Sequence, residues 1–556
     1  MLIGFECSPV MNPEEFIVAQ YWDGLDEIGL SSCRGAKTAK ELLEAVDAKK
    51  RDYERAICSL NDSITRLHRF RNTVVSVYRL PPELLVEIFW NLAQTFNNKN
   101  IIAVSHVCQR WRTIAVDSAK LWSFVSMNST PQVTEFFRRS HPVLVHVSIW
   151  RYIEDGTLVS GIVEVLEPHI SRLRSVHITM STAVEIQYIM NNLDCSVLQE
   201  ISLRLDTYLV SGSEIVFRSP LPALRSLTLA RINVSCMKKN CPRNLVHFEL
   251  ISQPGESMPH PWTLLRIFEQ NQALETVKVQ ALSPDLSNAP TGSSFSQKVE
   301  LPHLSLLSVQ NVLQRDMRTL LALLSLPANL RMQLSIFVHD DFVSEPLFSK
   351  DTTSLPSLAD LRVLEVLQSH KQPESEPANP KEPNVLIRGQ RPGEALFGEP
   401  DFTLGLIEAK QSCVPALRGW FDLSHIELLV LSGWKLHTDM DDWIRLMGEL
   451  WKLQTLRLVD IREETLIELL RALSVSRPPN LGELHDVMIC PELSRLEVAS
   501  MKLGDFGAFE LMKWVMYRSS CGARLQSLEL LGVRGSMWQD SLKHLNPYCD
   551  KVYVNE

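Results

Sequence analysis

The chain has 556 residues, of which 45% are hydrophobic and 22% charged, a composition typical of soluble globular proteins. Its formal net charge of −9 argues against functions that need a broad basic surface, such as binding nucleic acid or an anionic membrane. The 11 cysteines form no CxxC pair, and the sequence has neither a secretory signal nor an apolar run long enough for a transmembrane helix, so we expect a cytoplasmic and/or nuclear protein.

The first 79 residues predict a tail followed by one long helix. Residues 1–35 contain scattered Pro and Gly and are expected to form a flexible tail. Residues 36–79 contain neither, and apolar side chains recur there at alternating steps of three and four, at Leu43, Val46, Tyr53, Ile57, Leu60, Ile64, Leu67 and Val74. Lys50 and Arg71 interrupt this heptad pattern at seam positions. Two interpretations remain open: a self-associating coiled coil, or a helix packed on the rest of the chain.

Residues 80–125 predict three short helices. Pro81 and Pro82 begin the first, because proline fixes φ and lacks the N–H that a first helical turn leaves unpaired. The helix then carries a wide apolar stripe, formed by Leu84, Leu85, Ile88, Phe89 and Leu92. The same spacing predicts a second helix near Ile101 to Cys108 and a third through Trp111 to Val116.

The order LPPE, IF, VCQRWRTIA and LW within residues 80–125 resembles the F-box, in the form of fungal F-box-like sequences. The stretch from Phe96 to Lys99 is slightly longer and richer in Asn than a compact F-box loop. The resemblance implies docking onto the Skp-type adaptor, and through it onto the cullin scaffold, of a ubiquitin ligase. It implies that the adaptor-binding residues are Leu80, Pro81, Leu84, Ile88, Val107, Cys108 and Trp111. We expect Ile88 and Trp111 to belong partly to the F-box core, since large apolar residues are more often packed than exposed.

From Leu173 onward one pattern of three apolar residues recurs. Two variable residues separate the first apolar residue from the second, and one variable residue separates the second from the third. Nine copies are clear: Leu173-Val176-Ile178, Leu198-Ile201-Leu203, Leu224-Leu227-Leu229, Leu245-Phe248-Leu250, Leu274-Val277-Val279, Leu304-Leu307-Val309, Leu453-Leu456-Leu458, Leu493-Leu496-Val498 and Leu525-Leu528-Leu530. Weaker candidates lie at Leu361-Leu364-Val366 and Leu423-Ile426-Leu428. The step between adjacent copies, about 21 to 32 residues, is that of leucine-rich repeats. The ninth position, often Asn in such repeats, is apolar here, as in Ile232, Val312, Ile461, Met501 and Val533.

The predicted fold class is therefore α/β: an N-terminal long helix and a three-helix F-box, followed by a leucine-rich-repeat-like solenoid with a parallel sheet. Helical return segments are expected around Trp262 and Trp443. Residues 371–400, dense in Pro, Glu and Gly, are expected to be a disordered insertion. This insertion should divide the solenoid into an N-terminal arm, residues 126–370, and a C-terminal arm, residues 401–556. Ser283 to Lys298 is expected to be a further mobile loop.

One residue in each repeat lies between the last two apolar positions and must point away from the core, because strand side chains alternate. These residues are His177, Ser202, Thr228, Glu249, Lys278, Ser308, Arg457, Glu497 and Glu529. We expect them to form one row on the concave face of the sheet. The row mixes both charges and small polar groups, which suits an unidentified protein or peptide partner, although a merely solvated face is the alternative.

No motif of an enzyme, cofactor site or metal site occurs in a convincing context, so we expect neither catalysis nor a cofactor or metal. The two resemblances together imply the substrate-recognition subunit of an SCF-type ubiquitin ligase. The alternative is an interaction scaffold that is not part of a ligase, in which a vestigial F-box-like segment only caps the repeats.

Overall fold

Residue contacts divide the chain into two units, Met1–Trp122 and Ser123–Glu556, called here the helical unit and the sheet unit. The computed structural model describes residues 38–127, 130–150, 158–193, 197–206, 217, 220–232, 241–252, 261–280, 298–338, 346–348, 355–368, 383–392, 399–407, 409, 411–434, 436, 438–477, 487–534 and 543–555. The predicted tail 1–35, the loop residues 283–297 and two parts of the predicted insertion, 371–382 and 393–398, lie outside the described residues.

The described part of the helical unit contains one long helix and three short ones. They are α1 (Ala39–Val74), α2 (Pro82–Ala93), α3 (Asn98–Val107) and α4 (Gln109–Asp117), with 3₁₀ turns at Ser76–Arg79 and Ala119–Trp122. Thr38 caps α1, because the backbone N–H of Glu41 donates to its Oγ1 at 3.2 Å. The helix order predicted from residues 36–79 and 80–125 is therefore present, with α1 ending five residues earlier than residue 79.

One side of α2 forms the centre of the core of the three short helices. Leu85, Phe89 and Ala93 are buried, at successive steps of four residues. The following buried residues from the other helices complete this core: Ile101, Val104, Ala115, Leu121 and Trp122. The Trp122 indole N–H donates to the carbonyl oxygen of Ala115 at 2.6 Å, so the last 3₁₀ turn is tied to α4.

The sheet unit contains one large sheet of 17 described strands. They are β1 (Phe124–Ser126), β2 (Val145–Trp150), β3 (Leu173–Met180), β4 (Glu200–Leu205), β5 (Ser226–Ala230), β6 (His247–Ile251), β7 (Thr276–Gln280), β9 (Leu306–Leu313), β11 (Arg331–Phe337), β12 (Val363–Gln368), β13 (Val385–Gln390), β14 (Phe402–Ile407), β15 (Leu428–Ser432), β16 (Thr455–Val459), β19 (Arg495–Ala499), β20 (Leu525–Leu531) and β21 (Cys549–Asn555). Two small pairs of strands stand apart, β8 (Val299–Glu300) with β10 (Leu324–Ser325), and β17 (Ser476–Arg477) with β18 (Val487–Met488).

Helical return segments alternate with these strands, as expected for a solenoid. They are α5 (Thr130–Arg139), α6 (Leu158–Leu166), α7 (Ala183–Asn192), α8 (Pro261–Gln270), α9 (Gln314–Ala322), α10 (Pro356–Ala359), α11 (Val414–Trp420), α12 (Met440–Met447), α13 (Glu463–Ala472) and α14 (Asp505–Ser520). The segments predicted around Trp262 and Trp443 correspond to α8 and α12. Among the described residues, no helix has the length and apolarity needed to cross a bilayer.

Neighbouring strands pair in parallel along most of the sheet, and the order is interrupted once. From β1 to β11 each sheet strand pairs with the next in the chain, and the same holds from β15 to β21. Between these runs the order is β11-β14-β13-β12-β15, and β13 is antiparallel to both of its neighbours. The sheet is thus mostly parallel and continuous.

This region corrects two sequence-based predictions. Residues 371–400 were expected to be disordered, but they contain β13, in which Val385 and Ile387 are buried. The insertion was also expected to divide the solenoid into two arms, yet β13 and its neighbours join the two runs of strands into one sheet. The physical reason is that VLIRGQ supplies alternating side chains for a half-buried strand inside a segment whose average composition is polar.

The repeat pattern is confirmed by the register of the strands. Leu227 and Leu229 lie opposite Ile201 and Leu203, and corresponding apolar pairs recur in the other repeats. The weaker candidate at Leu361-Leu364-Val366 is in this register, whereas Leu423-Ile426-Leu428 is three residues too early. The buried residues opposite Leu456 and Leu458 are Leu429 and Leu431, so the correct triplet there begins at Ile426.

The ends of five repeat strands show how an apolar ninth position is used. Residues at the eighth position have positive φ, namely Arg231 (60°), Asn311 (56°), Asp460 (52°), Ser500 (54°) and Gly532 (60°). The residues that follow them are all buried: Ile232, Val312, Ile461, Met501 and Val533. The left-handed residue therefore turns the chain so that an apolar side chain, rather than an Asn amide, closes the core at the strand end.

Candidate functional site

The first candidate surface lies on α2, on the side opposite its core residues. Leu84, Ile88 and Leu92 recur every four residues and are 52%, 48% and 40% exposed. Residues at this spacing lie one above the other on a helix, so they form a single apolar stripe. We call these three residues the α2 stripe. Val107, the last residue of α3, is a further large apolar side chain of the F-box and is 59% exposed.

Arg110 fixes the chain that leads into α2. Its guanidinium donates to the carbonyl oxygen of Leu80 at 2.6 Å and to that of Tyr78, and it lies 4.5 Å from the centre of the Tyr78 ring. Leu80 and Pro81 directly precede α2, so Arg110 holds the residues from which the helix begins. Cys108 has a related structural role, because its Sγ accepts from the backbone N–H of Trp111 at 3.5 Å and caps α4.

The residues implied by the F-box resemblance differ in accessibility. Leu84, Ile88, Val107 and Pro81 are exposed, whereas Leu80, Cys108 and Trp111 are half-buried. The expectation that Ile88 belongs to the core is wrong, since that side of α2 faces solvent. Trp111 does pack inside, with its ring centroid 4.9 Å from that of Phe89. Leu92 was not among the implied residues, although its spacing from Ile88 could have indicated it.

The stretch from Phe96 to Lys99 is a short, hydrogen-bonded connection. Phe96 has a positive φ of 53°, which turns the chain after α2. Asn97 caps α3 by accepting from the N–H of Lys99 at 3.1 Å, and Asn98 is buried. The Asn-rich sequence thus forms a turn and a helix cap.

The second candidate surface is the row of residues predicted from the repeats. His177, Ser202, Thr228, Glu249, Lys278 and Ser308 are direct partners from β3 to β9, and Arg457, Glu497 and Glu529 are partners from β16 to β20. The row continues between these sets through residues that the repeat pattern did not identify: Gln333, Thr403, Arg388, Glu365 and Val430. All nine predicted residues therefore lie on one face of one sheet.

Accessibility varies along this row. Lys278 and Arg457 are exposed, whereas Ser308 and Glu497 are only 5% exposed. Glu497 is covered because the Arg457 guanidinium is hydrogen-bonded to its carboxylate, and Gln310 donates to Ser308 Oγ at 3.3 Å. The prediction that these two side chains offer a free contact surface is therefore wrong. Alternation determines which face a side chain occupies, but not whether a neighbour covers it.

Polar contacts also link β2, β3 and β4 at one end of the row. Ser175 Oγ lies 2.8 Å from Nδ1 of His146 and 3.4 Å from Nε2 of His177, and the same Nε2 is 3.8 Å from Oε1 of Glu200. Burial lowers the pKa of His146 to about 4, and burial also lowers the pKa of His177, against the effect of the Glu200 carboxylate. Ser175 is completely buried, and one His177 nitrogen faces both Ser175 and Glu200, so the set lacks the geometry of a nucleophilic triad.

A third surface, which the sequence patterns did not indicate, lies beyond the carboxyl ends of β15, β16, β19 and β20. It is an open groove of about 1220 Å³. Trp434 stands at its side, 52% exposed, with its indole N–H donating to Oδ1 of Asp460 at 2.5 Å. Arg462, Lys502 and Arg534 line the groove two residues after the positive-φ position of successive repeats. No cluster of three or more metal-binding side chains occurs in the described ranges.

Comparison with known proteins bears on the first of these surfaces. A family model described as F-box-like matches residues 77–128. The chain contains an F-box-like domain. The F-box match includes the Arg110 contacts, the α2 stripe and all of α3 and α4.

No curated protein matches the chain. One solved structure that matches it is the leucine-rich repeat-containing protein LegL7 from Legionella pneumophila, with 13% identity, coverage of 67% of this chain and 88% of that protein, and a TM-score of 0.22. The repeats of the sheet unit are identified from the register of its strands.

Proposed function

We propose that the chain is the substrate-recognition subunit of a cullin-based SCF-type ubiquitin ligase. In this proposal the F-box docks on the Skp-type adaptor, which is bound to the cullin scaffold, and the repeats bind a protein substrate. The observation that carries the proposal is the α2 stripe, three exposed apolar side chains within a segment that matches the F-box-like family. Such a role would place the protein in the cytoplasm, the nucleus or both.

The exposure of the α2 stripe needs an explanation, because α2 already buries its other apolar side in the F-box core. A set of large apolar side chains on one helix face costs free energy in water and marks an interaction surface. A partner that covers Leu84, Ile88 and Leu92 would remove this cost. Because Arg110 holds the chain before α2, the stripe is presented by a fixed element rather than by a mobile loop.

The sheet face and the groove support the second half of the proposal. The row contains cationic, anionic and small polar side chains, and the groove adds an exposed Trp, a residue type enriched where proteins bind one another. Such surfaces suit an extended protein segment. The chain itself would contribute proximity and orientation, so ubiquitin transfer would need no catalytic residue here.

Adaptor binding tests the first half. The full chain should be retained by the immobilised Skp-type adaptor, and Leu84→Glu combined with Ile88→Glu should weaken the complex by about 100-fold, since two buried contacts would become charged. Val184→Glu is the matched control, because Val184 is 71% exposed on α7 of the sheet unit. Failure of the wild-type chain to bind, with its F-box shown to be folded, would instead favour an interaction scaffold.

Substrate capture tests the second half. Proteins purified with the chain should be compared with and without a proteasome block, for the wild type and for the Leu84→Glu, Ile88→Glu variant. A substrate should accumulate on the wild type only when the proteasome is blocked, and on the variant in both conditions, because the variant cannot bring it to the ligase. A bound protein whose abundance is the same in all four samples would be a scaffold partner and would contradict the ligase role.

A further inference from the structure

Over most of its length, α1 presents an exposed apolar face. None of its 36 residues is buried, and eight of its large apolar side chains are 48% to 72% exposed: Leu43, Tyr53, Ile57, Leu60, Ile64, Leu67, Phe70 and Val74. The opposite face is polar and includes the ion pair between Arg55 and Asp52, at 2.6 Å. The first turns of α1 differ, because Leu42, Ala45 and Val46 there are partly buried and pack against a hydrophobic cluster, whereas the large apolar side chains from Tyr53 to Val74 are exposed.

A heptad repeat runs along most of the helix, and its seam residues are exposed except for Val46, which is half-buried. The a positions are Leu43, Lys50, Ile57, Ile64 and Arg71, and the d positions are Val46, Tyr53, Leu60, Leu67 and Val74. In the central two heptads Ile occupies a and Leu occupies d. Among parallel coiled coils this combination favours two strands over three or four, since β-branched side chains at a and Leu at d pack best in a two-stranded seam.

The charges beside this seam indicate which helix would be its partner. Lys49 is at a g position and Glu54 at the following e position. In a parallel, in-register pair, a g residue of one helix faces the next e residue of the other, so Lys49 of each copy would meet Glu54 of its partner. Within one helix these residues are five apart and lie on different faces. An antiparallel pair would set g positions against g positions and would lose both contacts.

We propose that α1 pairs with α1 of a second copy of this chain as a parallel, in-register coiled coil. At 1.5 Å per residue the paired segment would be about 54 Å long. Lys50 faces Lys50 of the partner in this arrangement, which lowers stability but fixes the register, a known effect of polar residues at a positions. The self-association does not rest on the ligase role.

The pairing would also place two F-boxes at the same end of the coiled coil. α1 ends at Val74 and leads through one 3₁₀ turn into Pro81. The carbonyl groups of Tyr78 and Leu80 in this connection are held by Arg110 of α4. A parallel dimer would thus present two copies of the α2 stripe from one end.

The oligomeric state of the full chain tests the proposal. Light scattering coupled to size-exclusion chromatography should give a dimer for the wild type and a monomer for Ile57→Asp combined with Ile64→Asp. Ser59→Asp combined with Thr65→Asp is the matched control, since both residues are exposed on the outer face of the same helix, and it should remain dimeric. A wild-type chain that is monomeric at micromolar concentration overturns the proposal and points to another segment or another protein as the cover of α1.

Two further variants test the orientation. Lys49→Glu should weaken the dimer by about tenfold, because two attractive contacts become repulsive, and adding Glu54→Lys should restore it. A loss that is not restored would exclude the parallel register. Val74→Cys should form a disulfide-linked dimer on mild oxidation, beyond the background of the wild type with its exposed Cys58. An antiparallel pair would hold the two introduced thiols at opposite ends and would leave the variant uncrosslinked.

Discussion

Replacing Arg110 with Ala should loosen the chain that leads into the F-box. In the native structure the guanidinium donates to two carbonyl oxygens, those of Tyr78 and Leu80, and packs over the Tyr78 ring. The Ala variant would leave both carbonyls without this donor. The 3₁₀ turn at Ser76–Arg79 would then be held mainly by its own hydrogen bonds, such as that from Tyr78 N to Val75 O at 2.9 Å.

The expected magnitude follows from the contacts. A hydrogen bond from a charged donor contributes about 1.5 to 3 kcal/mol, but Tyr78 and Leu80 are half-buried, so water can replace part of what is lost. We therefore expect the free energy of opening this turn to fall by about 2 kcal/mol, equivalent to a roughly 30-fold increase in the open population. The core of α2, which rests on Leu85 and Phe89, should be affected much less.

Hydrogen–deuterium exchange of the full chain, read by mass spectrometry, measures this opening locally. Peptides covering 76–82 should exchange about 30-fold faster in Arg110→Ala than in the wild type. Arg112→Ala is the control, because Arg112 is exposed on the same helix two residues away. Equal exchange in the two variants, or faster exchange spread evenly over α2 to α4, would refute the role assigned to Arg110.

Three further predictions concern stability. Leu85→Ala should lower the free energy of unfolding of the F-box by about 3 kcal/mol, whereas Leu84→Ala should cost less than about 1 kcal/mol and instead weaken adaptor binding, as measured by urea unfolding and adaptor titration. Burial lowers the pKa of His146 to about 4 from its usual 6.5, so on acidification the unfolded state binds this proton before the folded state does. The free energy of unfolding should therefore fall as the pH drops from 6.5 to 4, by at most about 3 kcal/mol. Urea unfolding across this range should show a flatter pH profile for His146→Phe. Gly433→Ala should cost about 2 to 4 kcal/mol in thermal unfolding, because φ there is +121° and the new Cβ would lie 2.6 Å from that of Gln368.

Each of the three stability predictions can be contradicted by a specific result. Equal destabilisation by the two leucine variants would mean that α2 is rotated relative to its core. A pH profile that His146→Phe leaves unchanged would assign the acid sensitivity to other groups. Gly522→Ala is the comparison for Gly433→Ala, since its φ is also positive, at +80°, but its added Cβ meets nothing within 4 Å. The same loss in both glycine variants would show that backbone conformation alone, without the clash, determines the cost.

The sequence predicted the helices well because proline, capping and heptad signals are local. It could not divide the apolar residues of α2 between core and surface. Leu84, Leu85, Ile88 and Phe89 form one broad stripe in the sequence, and only the position of α3 and α4 determines that Leu85 and Phe89 are buried while Leu84 and Ile88 are exposed. The expected burial of Ile88 failed for this reason.

The same limit applies to the sheet. Period-two alternation correctly placed nine residues in one row, because a strand has only two faces. Whether a side chain on the outer face is accessible depends on residues of other strands, as Arg457 shows when it covers Glu497. The groove beside Trp434 was missed because it is formed by the ends of four strands separated by long stretches of sequence, and no local pattern marks it.

The reversed strand order β11-β14-β13-β12-β15 keeps the row of outward-facing residues continuous, which the polar composition of this region did not predict. Two glycines permit it: a Cβ at Gly389 would lie 2.8 Å from Cδ1 of Leu361, and one at Gly405 would lie 2.9 Å from Cβ of Pro383, so a larger residue at either position would force its neighbour to move. Because β12, β13 and β14 all join the sheet, Glu365 and Arg388 continue the row without a gap. The runs of repeats before and after this region therefore share one face of one sheet, so the proposed binding row extends across both runs.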